Sequence, residues 1–249
     1  MLSLRTFSMA ALVVGLLPAW PLRVSAADAP DAARRQEIET IVREYLRAHP
    51  EIVMEALQEM ERRDQEAQQK QRAETIRARL ADLTQDPASP VAGNPKGSVT
   101  IVEFFDYQCG YCKREAGEMK KLLQADPDVR VVYKDLPILG PASVFAARAA
   151  LAAQKQGKHE ALHTALLETS ERLTDQEVLR LAAQAGLNTA QLEKDMADPS
   201  VTAALDRNFQ LQRALNIQGT PALIVGTEFI PGAANLDTLK EMVARARKR

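Results

Sequence analysis

The chain has 249 residues, 32 Lys+Arg against 33 Asp+Glu, and 46% apolar and 26% charged residues. The even charge balance excludes a broad basic surface for nucleic acid, and the apolar fraction excludes both a disordered chain and a multispanning membrane protein. The two cysteines, three positions apart, are too few for a disulfide-stapled miniature or a structural zinc cage.

Residues 1–26 read as a cleavable secretory signal: a basic start at Arg5, an apolar run from Phe7 to Trp20, and the small-residue stretch Val24-Ser25-Ala26-Ala27. About fourteen apolar residues broken by Pro18 fall short of the roughly 20 that span a bilayer, which disfavours a membrane anchor. Export to the periplasm would put the two cysteines where disulfides are made and broken.

Residues 27–88 read as a helical arm. The stretch from Asp31 to Leu83 is nearly free of Gly and Pro and rich in Glu, Arg, Gln and Ala. Ile38, Ile41, Val42, Tyr45 and Leu46 fall on one helical stripe, and Val53, Leu57 and Met60 continue an apolar face after a break at His49-Pro50. From Glu61 to Arg79 ten of nineteen residues are charged and Ile76 is the only large apolar one. One helix from Pro50 to Leu83 would be about 51 Å long. Two readings stay open: a solvated spacer, or a homo-oligomerisation stalk through residues 31–83 in which the stripes of several chains bury one another. Gln85–Gly97, dense in Pro, Gly and Ser, marks the boundary to a catalytic domain over residues 89–249.

In that domain Val99–Phe105 is a near-continuous apolar run, as expected of a strand covered on both faces. Cys109-Gly110-Tyr111-Cys112 follows at once and opens a helix ending at Ala125. A strand at Val129–Tyr133 comes next, then a helical block over about 142–215, with Thr174 to Glu177 as a capping box, Gly186 as a stop and Asn188 as the following N-cap. Ala222–Val225 and Glu228–Ile230 make a hairpin around Gly226, and Leu236–Arg249 is a closing helix. This order is an α/β fold.

The Cys-x-x-Cys at a strand-to-helix junction carries the chemistry. As a staple it would remove only about 1.9 kcal/mol of chain entropy, so a structural bridge is a poor account of it. At a helix N-terminus the amide donors and the macrodipole favour a thiolate, which makes Cys109 the exposed nucleophile with a depressed pKa. Cys112, one turn in, is placed to resolve a mixed disulfide at Cys109. Thr220-Pro221, just ahead of the returning strand, would face this pair in a thioredoxin-type fold. Glu103, a carboxylate in an apolar strand, would be buried with a raised pKa and could take or supply the proton of Cys112. His159 and His163, four apart, lack a third metal ligand, so they read as a solvated helix face, and no metal or cofactor is assigned. Arg245, Arg247, Lys248 and Arg249 complement the negative end of the last helix.

Glu103-Phe104-Phe105-Asp106-Tyr107-Gln108-Cys109-Gly110-Tyr111-Cys112, Lys134-Asp135-Leu136-Pro137-Ile138-Leu139-Gly140-Pro141, and Gly219-Thr220-Pro221 with Pro231-Gly232-Ala233 resemble the DsbA family of exported thiol–disulfide oxidoreductases over residues 91–249. The arm is similar in pattern to the amino-terminal region of the suppressor of copper sensitivity protein C (ScsC) type. The resemblance implies a thioredoxin fold with a helical insertion, preceded by an extended helical arm. It implies Cys109 as nucleophile, Cys112 as resolving thiol, Glu103 as proton relay, and substrate contacts from Gly110, Tyr111, Thr220 and Pro221. The partners it implies are cysteine-containing exported clients and a membrane redox protein. Where strong oxidants of the family carry Pro-His between the cysteines, Gly110-Tyr111 offers no charge and is similar to the isomerase DsbC. The reduced form should therefore be less favoured. A disulfide isomerase or reductase is the first reading. A DsbA-like oxidase and a Cu(I) carrier using the two thiolates are the alternatives.

Overall fold

A computed structural model describes residues 32–248. The signal expected over residues 1–26 lies outside them. The chain divides into two compact units, up to Met60 and from Glu61.

In the first unit, helix α1 (Ala32–Ala48) has no buried residue, and α2 (Pro50–Ala78) begins after a one-residue break. His49 makes that break, its amide still donating to Tyr45 O (2.9 Å) while its own carbonyl accepts from Ile52 N (3.2 Å). Pro50 sits where a first-turn residue needs no amide donor. The expected stripe is present and uncovered: Ile38, Ile41, Tyr45, Val53, Leu57 and Met60 are all exposed.

The second unit is built on a five-stranded sheet of order β1-β3-β2-β4-β5: β1 (Val91–Gly93), β2 (Val99–Phe105), β3 (Val129–Asp135), β4 (Ala222–Val225) and β5 (Glu228–Pro231). Only β2 and β3 run parallel, joined through α4 (Gly110–Ala125). The helical block resolves into α5 (Pro141–Ala153), a short 3-10 turn, α6 (His159–Glu168), α7 (Asp175–Gln184), α8 (Thr189–Met196) and α9 (Pro199–Ala214), and α10 (Leu236–Arg247) closes the chain. The sequence-predicted caps form: Thr174 Oγ1 accepts from Glu177 N (3.1 Å) and Asn188 Oδ1 from Gln191 N (3.0 Å), while Gly186 stops α7 at φ 81°.

Both sheet faces are covered. On one, Ile101 and Phe105 of β2 and Val131 and Tyr133 of β3 pack with α4, α5, α6 and α10 residues such as Met119, Ala149, Leu166 and Met242. On the other, Val102, Phe104 and Val132 meet Ile76 of α2, Leu83 of the short helix α3 (Leu80–Thr84), Leu211 of α9 and Leu215 at its C-cap. Ile76 and Leu83 are fully buried. The end of α2 is therefore part of the catalytic unit's core, although its sequence is polar on every side of Ile76. Arg72 fastens the same turn, with Nε on Leu215 O (3.0 Å) and its guanidinium 4.2 Å from the Phe229 ring centre. Strand β1, in the Pro- and Gly-rich stretch read as a boundary, pairs antiparallel with β3. No helix among the described residues is long and apolar enough to cross a membrane.

Candidate redox site

Parallel pairing of β2 with β3 ends at Phe105–Asp135, and the chain leaves the sheet at Asp106. A turn closed by Cys109 N on Asp106 O (3.0 Å) then delivers Cys109 to the N-cap of α4. Its backbone is extended and its Sγ accepts from Cys112 N (3.4 Å), so the sulfur takes the place of a capping oxygen. Both thiols are free. Cys109 is 6% exposed and Cys112 fully buried, so the expected order of access holds, but the nucleophile is more covered than the exposed sulfur expected from sequence.

The two thiols are driven apart. The Cys112 thiol donating to it lowers Cys109 most; burial opposes, and the Thr220 side chain with the Cys112 and Tyr111 amides lowers it further, to about 5. The same hydrogen bond, seen from the donor, and then burial push Cys112 far above an ordinary thiol. One sulfur is thus a thiolate at neutral pH and its neighbour holds a proton, as a nucleophile and a resolving thiol require.

The Thr220–Pro221 peptide is cis, and Thr220 O lies 3.3 Å from Cys109 Sγ. That carbonyl can be bonded only by the protonated thiol, whereas the capping amides favour the thiolate. Tyr111 is 60% exposed under the Arg114 guanidinium (4.3 Å), and a side chain added at Gly110 would meet nothing within 4 Å. All four residues expected to touch substrate therefore lie around Cys109.

Glu103 is 2% exposed on the α4 face of β2 and lines a cavity of about 560 Å³ with Lys113, Tyr133 and His163. Burial first, and then the charge of Glu115, hold its carboxyl well above the ordinary range. Its own charge in turn weighs against ionising Cys112.

Glu115 was not singled out from the sequence. It stands three positions after Cys112, on the same face of α4, which is the signal that could have found it. Its Oε2 accepts from Ala234 N (2.8 Å), its Oε1 has no partner, and burial raises its pKa. His163 departs from expectation. It is buried, with Nδ1 3.0 Å from the Tyr107 hydroxyl and its ring edge-on to Phe105, so it closes the core instead of facing water. At the chain end, Arg247 pairs with Asp126 (2.8 Å) and Arg245 with Glu228 (2.7 Å), which spends these cations on anchoring α10.

Residues 100–244 match the DSBA-like thioredoxin domain, and residues 35–67 match the copper resistance protein ScsC N-terminal domain. A thioredoxin-like oxidoreductase from Silicibacter pomeroyi is 48% identical, with a TM-score of 0.67 over 68% of this chain and 98% of that one. A periplasmic thioredoxin-like protein from Salmonella enterica serovar Typhimurium is 37% identical (TM-score 0.63; 68% and 96% covered). A linker-deletion mutant of Proteus mirabilis ScsC is 29% identical over 90% of this chain and 99% of its own (TM-score 0.69). Among curated proteins, the Bordetella parapertussis thiol:disulfide interchange protein DsbA is 25% identical over 64% of this chain and 82% of its own. The Na(+)/H(+) antiporter NhaA 3 of Salinispora tropica is 28% identical, but the chain spans only 24% of its length. The fold is the thioredoxin fold with a helical insertion, and its helical N-terminal segment is of the ScsC type.

Proposed function

Because the chain belongs to the DSBA-like thioredoxin family, we propose that it is an exported, periplasmic disulfide isomerase or reductase that acts on misoxidised proteins and self-associates through its helical arm. The family and its relatives support a thiol:disulfide oxidoreductase of DsbA and ScsC type.

The observation behind the proposal is the split between the two thiols, with Cys109 pulled down to about 5 and Cys112 pushed up. In the reducing direction the Cys109 thiolate attacks a client disulfide. A Cys109–client bond forms as the client's sulfur bond breaks, and the client's second sulfur leaves as thiolate. Either that thiolate attacks a different client disulfide and the client thiolate freed there attacks the Cys109–client bond, closing a new client disulfide and expelling Cys109 as thiolate, or Cys112 loses its proton and attacks that bond, oxidising the pair and reducing the client. Glu103 takes the Cys112 proton in that step and returns it when the pair is reopened. A membrane partner would then reduce the pair again. The arm supports self-association because its apolar stripe at Ile38 to Met60 is uncovered.

One observation favours the oxidase reading. A thiolate held at a low pKa stabilises the reduced form and makes the disulfide more oxidising, and here the pull comes from Cys112, Thr220 and backbone amides without a charge between the cysteines. Refolding of a scrambled-disulfide test protein decides between the readings. The mature chain should restore activity, and Ile41→Lys with Tyr45→Lys should abolish both isomerisation and self-association while leaving thiol exchange intact. Fast oxidation of a reduced test protein, no isomerisation by either chain, and a reduction potential near −120 mV would establish the oxidase. A truncation at Pro90 would not test the arm alone, since it would also remove Ile76 and Leu83 from the core.

A further inference from the structure

One carboxylate joins the redox motif to the loop that follows β3. Asp106 is 2% exposed, and four donors converge on it. Oδ1 accepts from Gln108 N (2.8 Å) and Ser143 Oγ (2.7 Å), and Oδ2 accepts from the successive amides of Ile138 (2.9 Å) and Leu139 (3.0 Å). Gln108, next to the nucleophile, adds a second tie by donating Nε2 to Ser143 Oγ (2.9 Å). Each of the two oxygens accepts twice, so the arrangement is built for a carboxyl side chain.

The consequence lies in the side chains. Two neighbouring amides held by one oxygen turn the N–H edge of the loop inward, and the side chains of Ile138 and Leu139 are left 41% and 50% exposed. With Tyr111 at the start of α4, they are three large apolar groups left in water on the two segments that this carboxylate ties together. A protein that only needed a stable turn would gain by burying them or making them polar.

We infer that Asp106 is a positioning residue for client capture: it holds Ile138 and Leu139 in register with Cys109, so that an apolar side chain near a client's cysteine is gripped while its sulfur reaches the nucleophile. The inference rests on the thiol–disulfide reading above and names the client chemistry of that site. An Asn at 106 would keep the shape but set an N–H₂ against two of the four donors, releasing either the Ile138–Leu139 amides or the Gln108–Ser143 pair.

The test is single-turnover reduction by the reduced full-length chain of three substrates: a disulfide-bearing peptide with apolar residues beside its cysteine, the same peptide with serines there, and bis(2-hydroxyethyl) disulfide. Wild type should favour the apolar peptide over the serine peptide. Asp106→Asn should raise the half-saturating concentration of the apolar peptide about tenfold with less than a threefold change in limiting rate, and should erase the preference. Ile138→Ser with Leu139→Ser, both on the surface, should do the same, and this second variant decides the matter if Asp106→Asn does not fold. The inference is overturned if either variant slows all three substrates by one factor, if Asp106→Asn shifts the reduction potential, or if the double variant keeps the preference. A wild-type chain that reduces none of the three would overturn the thiol–disulfide reading itself, and the inference with it.

Discussion

The sheet of the catalytic unit carries buried charge on both faces, and the two faces treat it in opposite ways. On the face away from α4, Lys134 is fully buried, yet its ammonium donates to Asp82 O (2.8 Å) and Ser89 Oγ (2.8 Å) and lies 3.6 Å from Asp86. Arg207 grips that same carboxyl at 3.1 and 3.3 Å. Burial pushes the Asp86 acid up, but Arg207, the Ala88 amide and Lys134 together outweigh it and hold it below its usual range. On the α4 face, Glu103, Glu115 and Asp135 are equally buried, no cation offsets their burial, and all three are raised. Paired charge fastens segment 82–89 to β3 and α9. Unpaired acids cost stability and hold protons close to a thiol that must gain and lose one.

Substitutions should therefore have opposite signs on the two faces. The largest effect is expected at Lys134. Lys134→Ala leaves Asp86 with Arg207 alone, strips donors from Ser89 and Asp82, and opens a cavity, for a loss of about 3 kcal/mol in denaturant unfolding with exchange activity retained. Lys134→Met should lose less, because it refills the volume. Equal losses for the two variants would mean that charge pairing, and not packing, is what the lysine supplies to this face. Glu103→Gln should do the reverse. A raised carboxyl pKa means that folding opposes ionisation, so the acid's cost is absent at low pH and grows as pH rises through the unfolded value near 4.5. The amide variant should be more stable than wild type at pH 7 and should resolve its mixed disulfide about a hundredfold more slowly, within the usual range for a lost proton-transfer group. Quenching with acid and weighing the adduct by mass spectrometry measures this. Unchanged resolution would leave Glu115 as the group that handles the Cys112 proton.

How much of this the sequence discloses follows from how local each signal is. The run Val99–Phe105 with Cys-x-x-Cys behind it is local, and a carboxylate inside an apolar strand marks itself, so β2, α4 and Glu103 are legible. Thr220-Pro221 is a turn dipeptide on its own and becomes informative only beside the strand it precedes. The misses are all long-range. Ile76 is one apolar residue among charges, with no period to measure, and is buried by α9 and the far face of the sheet. Strand β1 has three residues and exists only as a partner of β3. Lys134 and Asp106 carry no local sign of their roles because their partners lie 45 to 52 residues away for Lys134 and up to 37 for Asp106. His163 reads as exposed until Tyr107, 56 residues earlier, closes over it.

Asp135 makes the sharpest test of the contrast, although its effect is the smallest. It occupies the end of β3 next to Lys134, points to the opposite face, and has no partner for either carboxyl oxygen. Burial raises it to about 8, its own backbone amide opposing and the charge of Asp106 adding to the effect, against 3.8 for an ordinary aspartate. The sign follows from linkage: in the folded chain it stays protonated between pH 4 and 8, while the unfolded chain ionises it, so wild type loses stability steadily across that window. Asp135→Asn removes the titration and keeps the shape. At pH 4 the two proteins should unfold at the same denaturant concentration, apart from the fixed cost of the amide. The variant should then gain on wild type by roughly 1 kcal/mol per pH unit at most, giving about 1–2 kcal/mol between pH 5 and 7. Above pH 8 the gap should stop widening, because wild type then ionises this group in both states. A gap that stays constant from pH 4 to 8 would mean that a neighbour or bound water satisfies the ionised form. The α4 face would then differ from the Lys134 face only in which groups do the pairing.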